Sequence, residues 1–414
     1  MFGGKNRSMN ILFLTMTSGI ADIEKSGIYT DLIRKFRDEG HNVYIIYPIE
    51  RRQKKATICT NSDNVHLLGV HTLNVTKTNI IEKGIGQTLI EYQFANALKR
   101  YWKDITFDIV LYSTPPITLI SVIKSIKMHN PTTVTYLLLK DIFPQNAVDL
   151  GLLKTKGITR FLYHFFRKKE KKLYTLSDYI GCMSPANVNY VLKHNPEIDS
   201  SKVEIAPNSY DIPQKNELSA KEKTEIRKKY NLPLNKTIFI YGGNLGKPQG
   251  IPFLIQCMQA NANRNDCHFV IIGNGTEYRK LETWFNQRKP LSVSLFRSVP
   301  KKEYDLLTSA CDIGMIFLDY HFTIPNYPSR LLPYLMEKKP IIAATDPYCD
   351  TGSIAEKNGY GLWCLSNSVE SFTNIIDKML QQDIEQMGER GYQFYLKNYT
   401  TIHTYNTIMQ HITK

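Results

Sequence analysis

The sequence predicts an α/β protein made of two Rossmann-like domains, each with a doubly wound parallel sheet, facing a central cleft. Its 414 residues exceed what one hydrophobic core usually organises. Short apolar β-rich runs alternate with amphipathic helical stretches in both halves. This alternation is interrupted over 207–236, which is polar, charged and punctuated by prolines. We therefore expect domains at 1–208 and 209–391, with a C-terminal helix within 392–414 crossing back to the first.

In the first half, apolar β-rich runs alternate with helical periodicity. Ile28, Leu32, Ile33 and Phe36 recur at helical spacing, with Asp31 among the polar residues of the opposite face, and a further helix begins at Ser184-Pro185. The strands predicted in this half are Ile11–Leu14, Val43–Tyr47, Phe107–Tyr112, Val134–Leu139 and Tyr179–Met183.

The second half repeats the pattern after the interruption. Its predicted strands are Ile238–Tyr241, His268–Ile272, Ser292–Phe296, Ile313–Leu318, Ile341–Ala344 and Gly361–Cys364. Ligands of such sheets bind beyond the carboxyl ends of the strands, so the loops there are the candidate sites.

Composition restricts the partners. Lys and Arg outnumber Asp and Glu by 52 to 38, a net charge of +14 that favours an anionic partner. The excess lies mainly in residues 1–208, with 28 basic and 18 acidic side chains, or 28 − 18 = +10. The tyrosines are dispersed and no nucleic-acid-binding motif occurs, which argues against a nucleic-acid partner. The seven cysteines show no metal-ligand spacing, so we expect reduced, mostly buried thiols and no metal site.

No apolar segment approaches the roughly 20 residues that span a bilayer, and the N-terminus lacks the features of a signal peptide. These observations favour a cytoplasmic protein. Residues 1–8 precede a second methionine, Met9, and we interpret them as a disordered lead or an alternative start.

The segment Ile238–Gly250, IFIYGGNLGKPQG, reads as a strand, a glycine loop and the start of a helix. Because Gly242, Gly243 and Gly246 have no Cβ, their backbone N–H groups can approach an anion, and the helix that follows adds its positive end. A nucleotide diphosphate fits this loop, although a tight strand-to-helix turn without a ligand is an equal alternative.

Three more loops follow predicted strands in the second half. Gly273-Asn274-Gly275 follows one strand, Arg297 to Pro300 follows the next, and 322–330, FTIPNYPSR, follows a third. Pro328 and Ser329 lie where a helix is expected to begin, so free N–H groups, the Ser329 hydroxyl and Arg330 can hold phosphate oxygens. Each loop also has a purely structural interpretation as a turn or a helix entry.

The order of these motifs resembles the family-4 retaining glycosyltransferases with the GT-B fold. The resemblance rests on Ser26-Gly27 to Gly40-His41, GGNLG with QG, IIGNG, RSVPKKEYDLLTSACDIGMIFL and PSRLLPYLMEKKPIIA, and spans nearly the whole chain. DIFPQNAVDLG, over 141–151, further resembles the subgroup that builds bacterial capsule, O-antigen and exopolysaccharide chains.

The resemblance implies a donor site in the second domain. The glycine loop would hold the donor diphosphate, the loop from Arg297 to Pro300 the base, and Asn326 to Leu331 the sugar and phosphate. The implied donor-binding residues are Gly243, Asn244, Gly246, Lys247, Gln249, Gly273, Asn274, Arg297, Ser298, Val299, Asn326, Tyr327, Pro328, Ser329, Arg330 and Leu331.

The chain departs from the family pattern in two places. Gln249 stands where the family usually has a lysine. Pro325 and Pro333 stand where the family has two glutamates, the second of which usually binds ribose, and Glu337 lies one helical turn further on. Ribose recognition is therefore unassigned.

In the first domain the resemblance implies that Ser26, Gly27 and Ile28 meet the reacting sugar and the acceptor. A cleft histidine of the family is replaced by Lys140 and Asp141. Asp141 would orient the donor sugar or the acceptor hydroxyl, and Lys140 would steady phosphate. As an alternative, Asp141 is a helix cap or turn former before Pro144.

The function implied is transfer of a hexosyl or N-acetylhexosaminyl group, with retention, from a nucleotide-sugar donor, taken to be a UDP-sugar, to a lipid-diphosphate-linked saccharide of a bacterial surface polysaccharide. The sequence has no acidic cluster suited to a divalent ion, and the family needs no metal or other cofactor. The alternative function is a UDP-sugar epimerase of the same fold, which would use Asp141 as an acid.

The basic segment 159–176, TRFLYHFFRKKEKKLYTL, has two interpretations. One is a solvated helix face over a core. The other is a surface that contacts anionic lipid on the inner membrane leaflet, where a lipid-linked acceptor resides.

Overall fold

The structure, a computed structural model, describes residues 7–75, 80–157, 160–212 and 217–412. It divides into two compact units, the first formed by Met1–Asp211 with Thr401–Lys414 and the second by Ile212–Thr400. The domain boundaries were predicted at 208/209 and 391/392. In the structure they lie at 211/212 and 400/401.

The first unit contains one mixed sheet in its described part. Its strands are β1 (Asn10–Leu14), β2 (Asn42–Glu50), β3 (Ile58–Ser62), β4 (Val65–Thr72), β5 (Ile109–Ser113), β6 (Val134–Leu139), β7 (Tyr179–Cys182) and β8 (Val203–Ile205). Their order is β3-β4-β2-β1-β5-β6-β7-β8. Only β3 runs antiparallel, to β4, so the other described strands end at one common edge.

Helices connect these strands. They are α1 (Thr30–Asp38), α2 (Ile80–Tyr101), α3 (Ile120–His129), α4 (Gln145–Asp149), α5 (Arg160–Leu176) and α6 (Pro185–His194), and α15 (Thr401–Met409) joins them from the C-terminus. Short 3₁₀ turns lie at Ser18–Ala21, Arg51–Gln53 and Ser200–Lys202.

Both faces of the first sheet are covered. Along β1, Ile11 and Phe13 belong to one apolar cluster, while Leu12 and Leu14 belong to another, and all four are fully buried. Successive side chains of a strand point to opposite faces, so the sheet has a core on each side. The predicted doubly wound arrangement is confirmed for this unit.

Helix α15 packs onto the first unit through polar contacts as well as apolar ones. His41 Nε2 lies 3.1 Å from the Tyr405 hydroxyl, and His411 Nε2 lies 2.9 Å from Glu204 Oε1. The His411 ring also stacks on Tyr179 with centroids 3.6 Å apart. The segment that returns to the first unit thus begins at Thr401, later than the predicted 392.

The second unit has a parallel sheet with helices between its strands. Its strands are β9 (Thr237–Asn244), β10 (Cys267–Asn274), β11 (Val293–Phe296), β12 (Ile313–Phe317), β13 (Ile341–Thr345) and β14 (Gly361–Leu365), in the order β11-β10-β9-β12-β13-β14. Its helices are α7 (Ala220–Lys229), α8 (Ile251–Ala260), α9 (Tyr278–Arg288), α10 (Lys301–Ala310), α11 (Leu331–Met336), α12 (Thr351–Lys357), α13 (Val369–Leu380) and α14 (Ile384–Asn398), with a 3₁₀ turn at Lys247–Gln249.

Every predicted strand is present, with ends that differ by up to three residues. The hairpin β3–β4 and strand β8 were not predicted. The prediction that Asp31 lies on the solvent face of its helix is wrong: its side chain is fully buried. Pro333 is the third residue of α11, where the missing N–H is one of those without an intrahelical partner.

Other sequence predictions have mixed outcomes. Of the predicted N-terminal lead, residues 1–6 lie outside the described part, whereas Ser8 donates a hydrogen bond from its hydroxyl to the Gly40 carbonyl. Six of the seven cysteines are buried and Cys59 is half-buried, all with free thiols. Within the described residues, no helix is both long and apolar enough to cross a bilayer.

We expect acid to destabilise the second unit through His268. Burial, with a smaller contribution from Lys236, lowers the pKa of this imidazole to about 4, and Ser294 Oγ lies 2.8 Å from its Nε2. The folded pKa is below the ordinary value of about 6.5, so the unfolded state binds the proton more readily. Stability is therefore full above pH 6.5 and falls toward pH 4, by up to about 3 kcal/mol.

The measurement is urea unfolding at pH 7 and pH 4. His268→Gln should lose less stability between the two pH values than the wild type. His321→Gln, at an exposed histidine, serves as the control. Equal pH dependence in wild type and His268→Gln would contradict this assignment.

Candidate functional site

The glycine loop joins β9 to α8. Gly243 has φ of +124° and Gly250, directly before α8, has φ of +59°, conformations that favour glycine. A Cβ on Gly242 would lie 2.0 Å from the Tyr304 hydroxyl. The loop therefore needs glycine at these three positions, for backbone conformation at two of them and for space at the third.

A second glycine loop packs directly against the first. Strands β9 and β10 are parallel neighbours in which Gly243 pairs with Gly273. A Cβ on Gly273 would lie 1.9 Å from the Gly243 carbonyl oxygen, and one on Gly275 would lie 2.4 Å from that of Leu245. The Leu245 N–H also donates to the Asn274 carbonyl at 3.0 Å. The structure thus brings the predicted residues of these two loops together.

Gln249 holds the glycine loop from within. Its side-chain carbonyl accepts hydrogen bonds from the Gly246 N–H at 3.1 Å and from Asn244 Nδ2 at 3.0 Å. The resemblance led us to expect a lysine at this position. The glutamine found there instead fixes the conformation of the loop through its hydrogen bonds. Lys247 is exposed beside it.

The backbone of this loop offers fewer donors than the sequence predicted. The N–H groups of Leu245, Gly246, Gln249 and Gly250 all donate to acceptors of the protein itself. The reason is that the 3₁₀ turn Lys247–Gln249 and the neighbouring glycine loop use them. The positive charge for an anion must come largely from side chains.

Arg330 supplies such a charge. Its Nη1 donates to the Gly242 carbonyl at 3.1 Å, and its guanidinium lies 4.3 Å from the centre of the Tyr241 ring. It is also 3.7 Å from where a Gly243 Cβ would be. Arg330 is half-buried, and no carboxylate of the described chain pairs with it. A cation without a carboxylate partner, held against a glycine loop, suits a bound anion.

Two tyrosines that sequence reasoning missed surround the same strand end. The Tyr334 hydroxyl donates to the Ile240 carbonyl at 3.1 Å and accepts from the Gly242 N–H at 3.2 Å. Tyr304 fills the space that a side chain at 242 would occupy. In the sequence, only Gly242 hints that a large side chain packs at this point, because a Cβ at 242 would overlap Tyr304. Tyrosines within helices form no recognisable motif.

The segment 326–331 reaches the glycine loop through Arg330, but its backbone differs from the prediction. Helix α11 begins at Leu331, and the N–H groups of Leu331 and Leu332 donate to the carbonyls of Pro328 and Ser329. The predicted free N–H groups at this helix start are therefore already used in a tight turn. Ser329 is exposed, and the Tyr327 hydroxyl is hydrogen-bonded to that of Tyr399.

The predicted base-binding loop follows β11, the edge strand next to β10. Arg297 and Ser298 are exposed, Val299 is partly buried, and the Arg297 guanidinium lies 5.5 Å from the Tyr278 ring centre. The loop lies at the same sheet edge as the glycine loops, since β10 and β11 are parallel. Glu337 accepts a hydrogen bond from Ser309 Oγ at 2.6 Å, so its carboxylate has a structural contact.

In the first unit, a buried carboxylate positions the Gly27 loop. Asp31 Oδ1 accepts from the Gly27 N–H at 2.8 Å and from Arg34 Nη2 at 2.6 Å, and Oδ2 accepts from the Asp211 N–H at 2.9 Å. The ion pair with Arg34 explains how a charged residue is tolerated in the core. Arg34 is an i, i+3 neighbour on the same helix, but the sequence pattern could not reveal the distant partner Asp211.

Lys140 and Asp141 follow β6 at the carboxyl edge of the first sheet. Lys140 Nζ donates to the Ala206 carbonyl at 3.3 Å, and burial lowers its pKa to about 7. Desolvation by the surrounding protein atoms raises the pKa of the Asp141 carboxyl. The pKa of the Tyr29 hydroxyl is raised mainly by burial, with a smaller contribution from the charge of Asp141. Tyr29 therefore lies within electrostatic range of Asp141, which follows Lys140 directly in the chain.

The alternative role of Asp141 as a helix cap is not supported. Helix α4 begins at Gln145 with Pro144 at its N-cap position and no side-chain cap. The Asp141 backbone carbonyl accepts a hydrogen bond from the Thr114 hydroxyl at 3.1 Å. This bond fixes the backbone of the segment and does not use the Asp141 carboxylate.

Residues 222–394 match the family model described as glycosyl transferases group 1. That segment includes the glycine loops, Arg297 and Arg330.

Relatives extend the similarity to the first unit. WbjE of Pseudomonas aeruginosa, named a probable glycosyltransferase, is 21% identical over 375 residues, 89% of each chain. WcaI of Escherichia coli K12, provisionally named a colanic acid biosynthesis glycosyl transferase, is 24% identical over 187 residues, 43% of each chain.

Solved structures show the fold. A sucrose-phosphate synthase from Thermosynechococcus elongatus superposes with a TM-score of 0.74 at 14% identity, covering 97% of this chain and 98% of that one. Anabaena HepE, solved with UDP and glucose, gives 0.69 at 12% identity, covering 98% and 99%. The predicted GT-B fold is confirmed.

We expect Gly273→Ala to destabilise the protein, because the new methyl group would lie 1.9 Å from the Gly243 carbonyl oxygen, and backbone cannot yield as a flexible side chain does. Overpacking of this kind costs about 1–3 kcal/mol or more. Thermal unfolding measures it. Gly19→Ala is the matched control, since its nearest neighbour would be 4.0 Å away. Equal melting temperatures for the two variants would refute the close contact of the loops.

Proposed function

We propose that the protein is a retaining glycosyltransferase that moves a sugar from a UDP-sugar to a lipid-diphosphate-linked saccharide of a bacterial surface polysaccharide. Arg330 is the observation that supports this proposal most directly. It is a cation without a carboxylate partner among the described residues, and it donates a hydrogen bond to the Gly242 carbonyl. It lies in the segment that matches the glycosyl transferases group 1 model. The names of WbjE and WcaI, and the UDP in HepE, support the choice of reaction and nucleotide.

In this proposal the second unit binds the donor. Arg330 and Lys247 neutralise the diphosphate beside the glycine loop, and the positive end of α8 adds to their field. The loop from Arg297 to Pro300 holds the base. The sugar lies toward the loop that contains Asn326 and Tyr327.

The chemistry follows from the donor. The bond from the anomeric carbon to the diphosphate oxygen breaks, the acceptor oxygen bonds to the same carbon on the same face, and the leaving phosphate takes the acceptor proton. Negative charge develops on the leaving group, so preorganised cations stabilise the transition state. No metal enters this scheme, and metal independence stays a prediction.

The first unit binds the acceptor in this proposal. The Gly27 loop, Lys140 and Asp141 lie at its carboxyl edge, which is where parallel sheets bind ligands. A carboxyl with a raised pKa and a lysine with a pKa of about 7 can exchange hydrogen bonds with sugar hydroxyls near neutral pH. Asp141 also sustains the alternative, a UDP-sugar epimerase, because that reaction needs an acid.

We expect UDP to raise the melting temperature of the wild-type protein and Arg330→Gln to weaken UDP binding. A hydrogen bond to a charged group contributes about 1.5–3 kcal/mol, so the loss should be roughly 10- to 100-fold in Kd. Gly246→Glu should abolish the shift, since it places a carboxylate in the loop. Lys236→Gln, at the other end of β9, is the control.

The reaction itself is tested with a panel of UDP-sugars and a lipid-diphosphate-linked saccharide. Release of UDP with formation of an α-linked product from an α-linked donor supports the proposal, and magnetic resonance of the product gives the configuration. Epimerised sugar without UDP release establishes the alternative. An undiminished UDP shift in both Arg330→Gln and Gly246→Glu would refute the donor site.

Contact with the membrane is part of the proposal, and helix α5 supports it. Thr159 of the predicted segment lies outside the described residues. On α5, Phe161 and Phe165 are 66% and 47% exposed, and Lys168 and Lys172 are exposed on the same face, spaced at i, i+4, i+7 and i+11. Exposed aromatic rings beside lysines are typical of a helix that lies on anionic lipid.

Vesicle binding tests this surface. Lys168→Ser with Lys172→Ser should weaken binding to phosphatidylglycerol vesicles about 30-fold, because each basic residue near such a surface contributes about 1 kcal/mol. Phe161→Ser should weaken it further. Lys221→Ser with Lys228→Ser removes two exposed lysines from α7, which lacks exposed aromatics, and should leave binding unchanged. Equal sedimentation of all variants would exclude contact through α5.

A further inference from the structure

The loop that follows β2 carries a dense positive charge. Arg51, Arg52, Lys54 and Lys55 are four cations within five residues, and all four are exposed. Because β2 is parallel to β1, this loop, which we name the basic loop (51–55), lies at the carboxyl edge of the first sheet. The Gly27 loop and Lys140 lie at the same edge.

The basic loop is held in a defined conformation. Arg51–Gln53 form a 3₁₀ turn, and Lys54 follows it in the left-handed region with φ of +52°. The Arg52 N–H donates to Asn74 Oδ1 at 3.0 Å, and the Lys55 carbonyl lies 2.9 Å from His71 Nδ1. Four neighbouring cations repel one another, so an ordered loop of this kind maintains a positive field that an anion would relieve.

Only part of this charge is neutralised by the protein. Arg52 pairs with the buried carboxylate of Glu50 at 2.7 Å. Lys54 and Lys55 have no ion-pair partner among the described residues. These two lysines therefore leave the loop with positive charge that no described carboxylate pairs with.

The position of the basic loop separates it from the reacting end of the acceptor. Strand β1 ends at Leu14, which pairs with Ile46, but β2 continues for four more residues beside β4, to Glu50. At about 3.3 Å per residue, the basic loop lies about 13 Å beyond the end of β1. An anion bound there is set apart from a hydroxyl held near the Gly27 loop, as the diphosphate of a lipid carrier is set apart from the terminal sugar.

We propose that the basic loop (51–55) binds the diphosphate of the acceptor, so that the protein selects saccharides whose anionic group is separated from the reacting hydroxyl by at least one sugar. This inference rests on the proposed function and extends it to the chemical class of the acceptor. Lys54 and Lys55 supply the charge, and Arg52 keeps the loop attached to Glu50.

The test uses the full-length protein with the variant Lys54→Asn, Lys55→Ser. Arg52 is retained so that Glu50 is not left as a buried, unpaired charge, and asparagine tolerates the left-handed conformation at 54. The control, Lys99→Ser, Lys103→Ser, removes the same charge from exposed residues around the end of α2. Because α2 leads from the end of β4 back to the start of β5, these residues lie toward the opposite edge of the sheet.

The probe is inorganic pyrophosphate, titrated calorimetrically into protein saturated with UDP and, in parallel, into Arg330→Gln protein without UDP. The loop variant should bind pyrophosphate at least 10-fold more weakly than the control variant in both titrations. With a lipid-diphosphate saccharide as acceptor, its KM should rise by a similar factor while kcat and the donor KM stay unchanged.

Two results would overturn the inference. One is equal pyrophosphate affinity in the wild type, the loop variant and the control. The other is unchanged pyrophosphate affinity together with lost binding to phosphatidylglycerol vesicles, which would make the loop a contact for membrane lipid. Failure of the proposed function would be recognised by a different result, the absence of a UDP-induced thermal shift in the wild type.

Discussion

The contact between two glycine backbones, at the ends of β9 and β10, is the constraint on which the candidate site of the second unit depends. With Gly243 and Gly273 paired in register, any Cβ at 273 would overlap the carbonyl of 243. The two strands can therefore end side by side without side chains between them. This closeness exposes backbone at the sheet edge and lets Arg330 and Tyr304 pack against Gly242 and Gly243.

The same closeness uses up the backbone donors that a glycine loop is usually expected to offer. Leu245 donates to Asn274, and Gly246 donates to Gln249. The loop is rigid because its hydrogen bonds are satisfied, and for that reason its own N–H groups contribute less to an anion. Arg330 compensates by bringing a full charge to a site whose geometry the backbone has already fixed.

The sequence predicted the strands well because buried parallel strands are short apolar runs bounded by turn residues, as at Val134–Leu139. It missed the β3–β4 hairpin, whose first strand is mostly exposed and polar and gives no apolar run. Asp31 was misplaced because helical periodicity assigns a charged residue to solvent, whereas its distant partner, the Asp211 N–H, meets it only in the folded chain.

For the candidate site, motifs located the loops but not the chemistry inside them. The glycines at 242, 243 and 273 carry a recognisable pattern, since only glycine fits there. Gln249 looked like a missing lysine, yet its role is set by hydrogen bonds that no spacing reveals. Tyr334 and Tyr304 come from helices separated from β9 along the chain, so their convergence on Gly242 is a property of the tertiary structure.

Charge counted along a sequence differs from charge available to a ligand. Helix α5 is the most basic stretch of the first half, but Lys169 pairs with Glu91 and Lys171 with Glu197. In the basic loop (51–55), Arg52 pairs with Glu50, whereas Lys54 and Lys55 have no ion-pair partner among the described residues. Exposed ion pairs contribute little to the free energy of unfolding, but each pair cancels the charge that a distant ligand would otherwise experience. Positive charge without an ion-pair partner among the described residues of the first unit therefore lies at the carboxyl edge of its sheet, on the side where the acceptor is proposed to bind, as well as on α5.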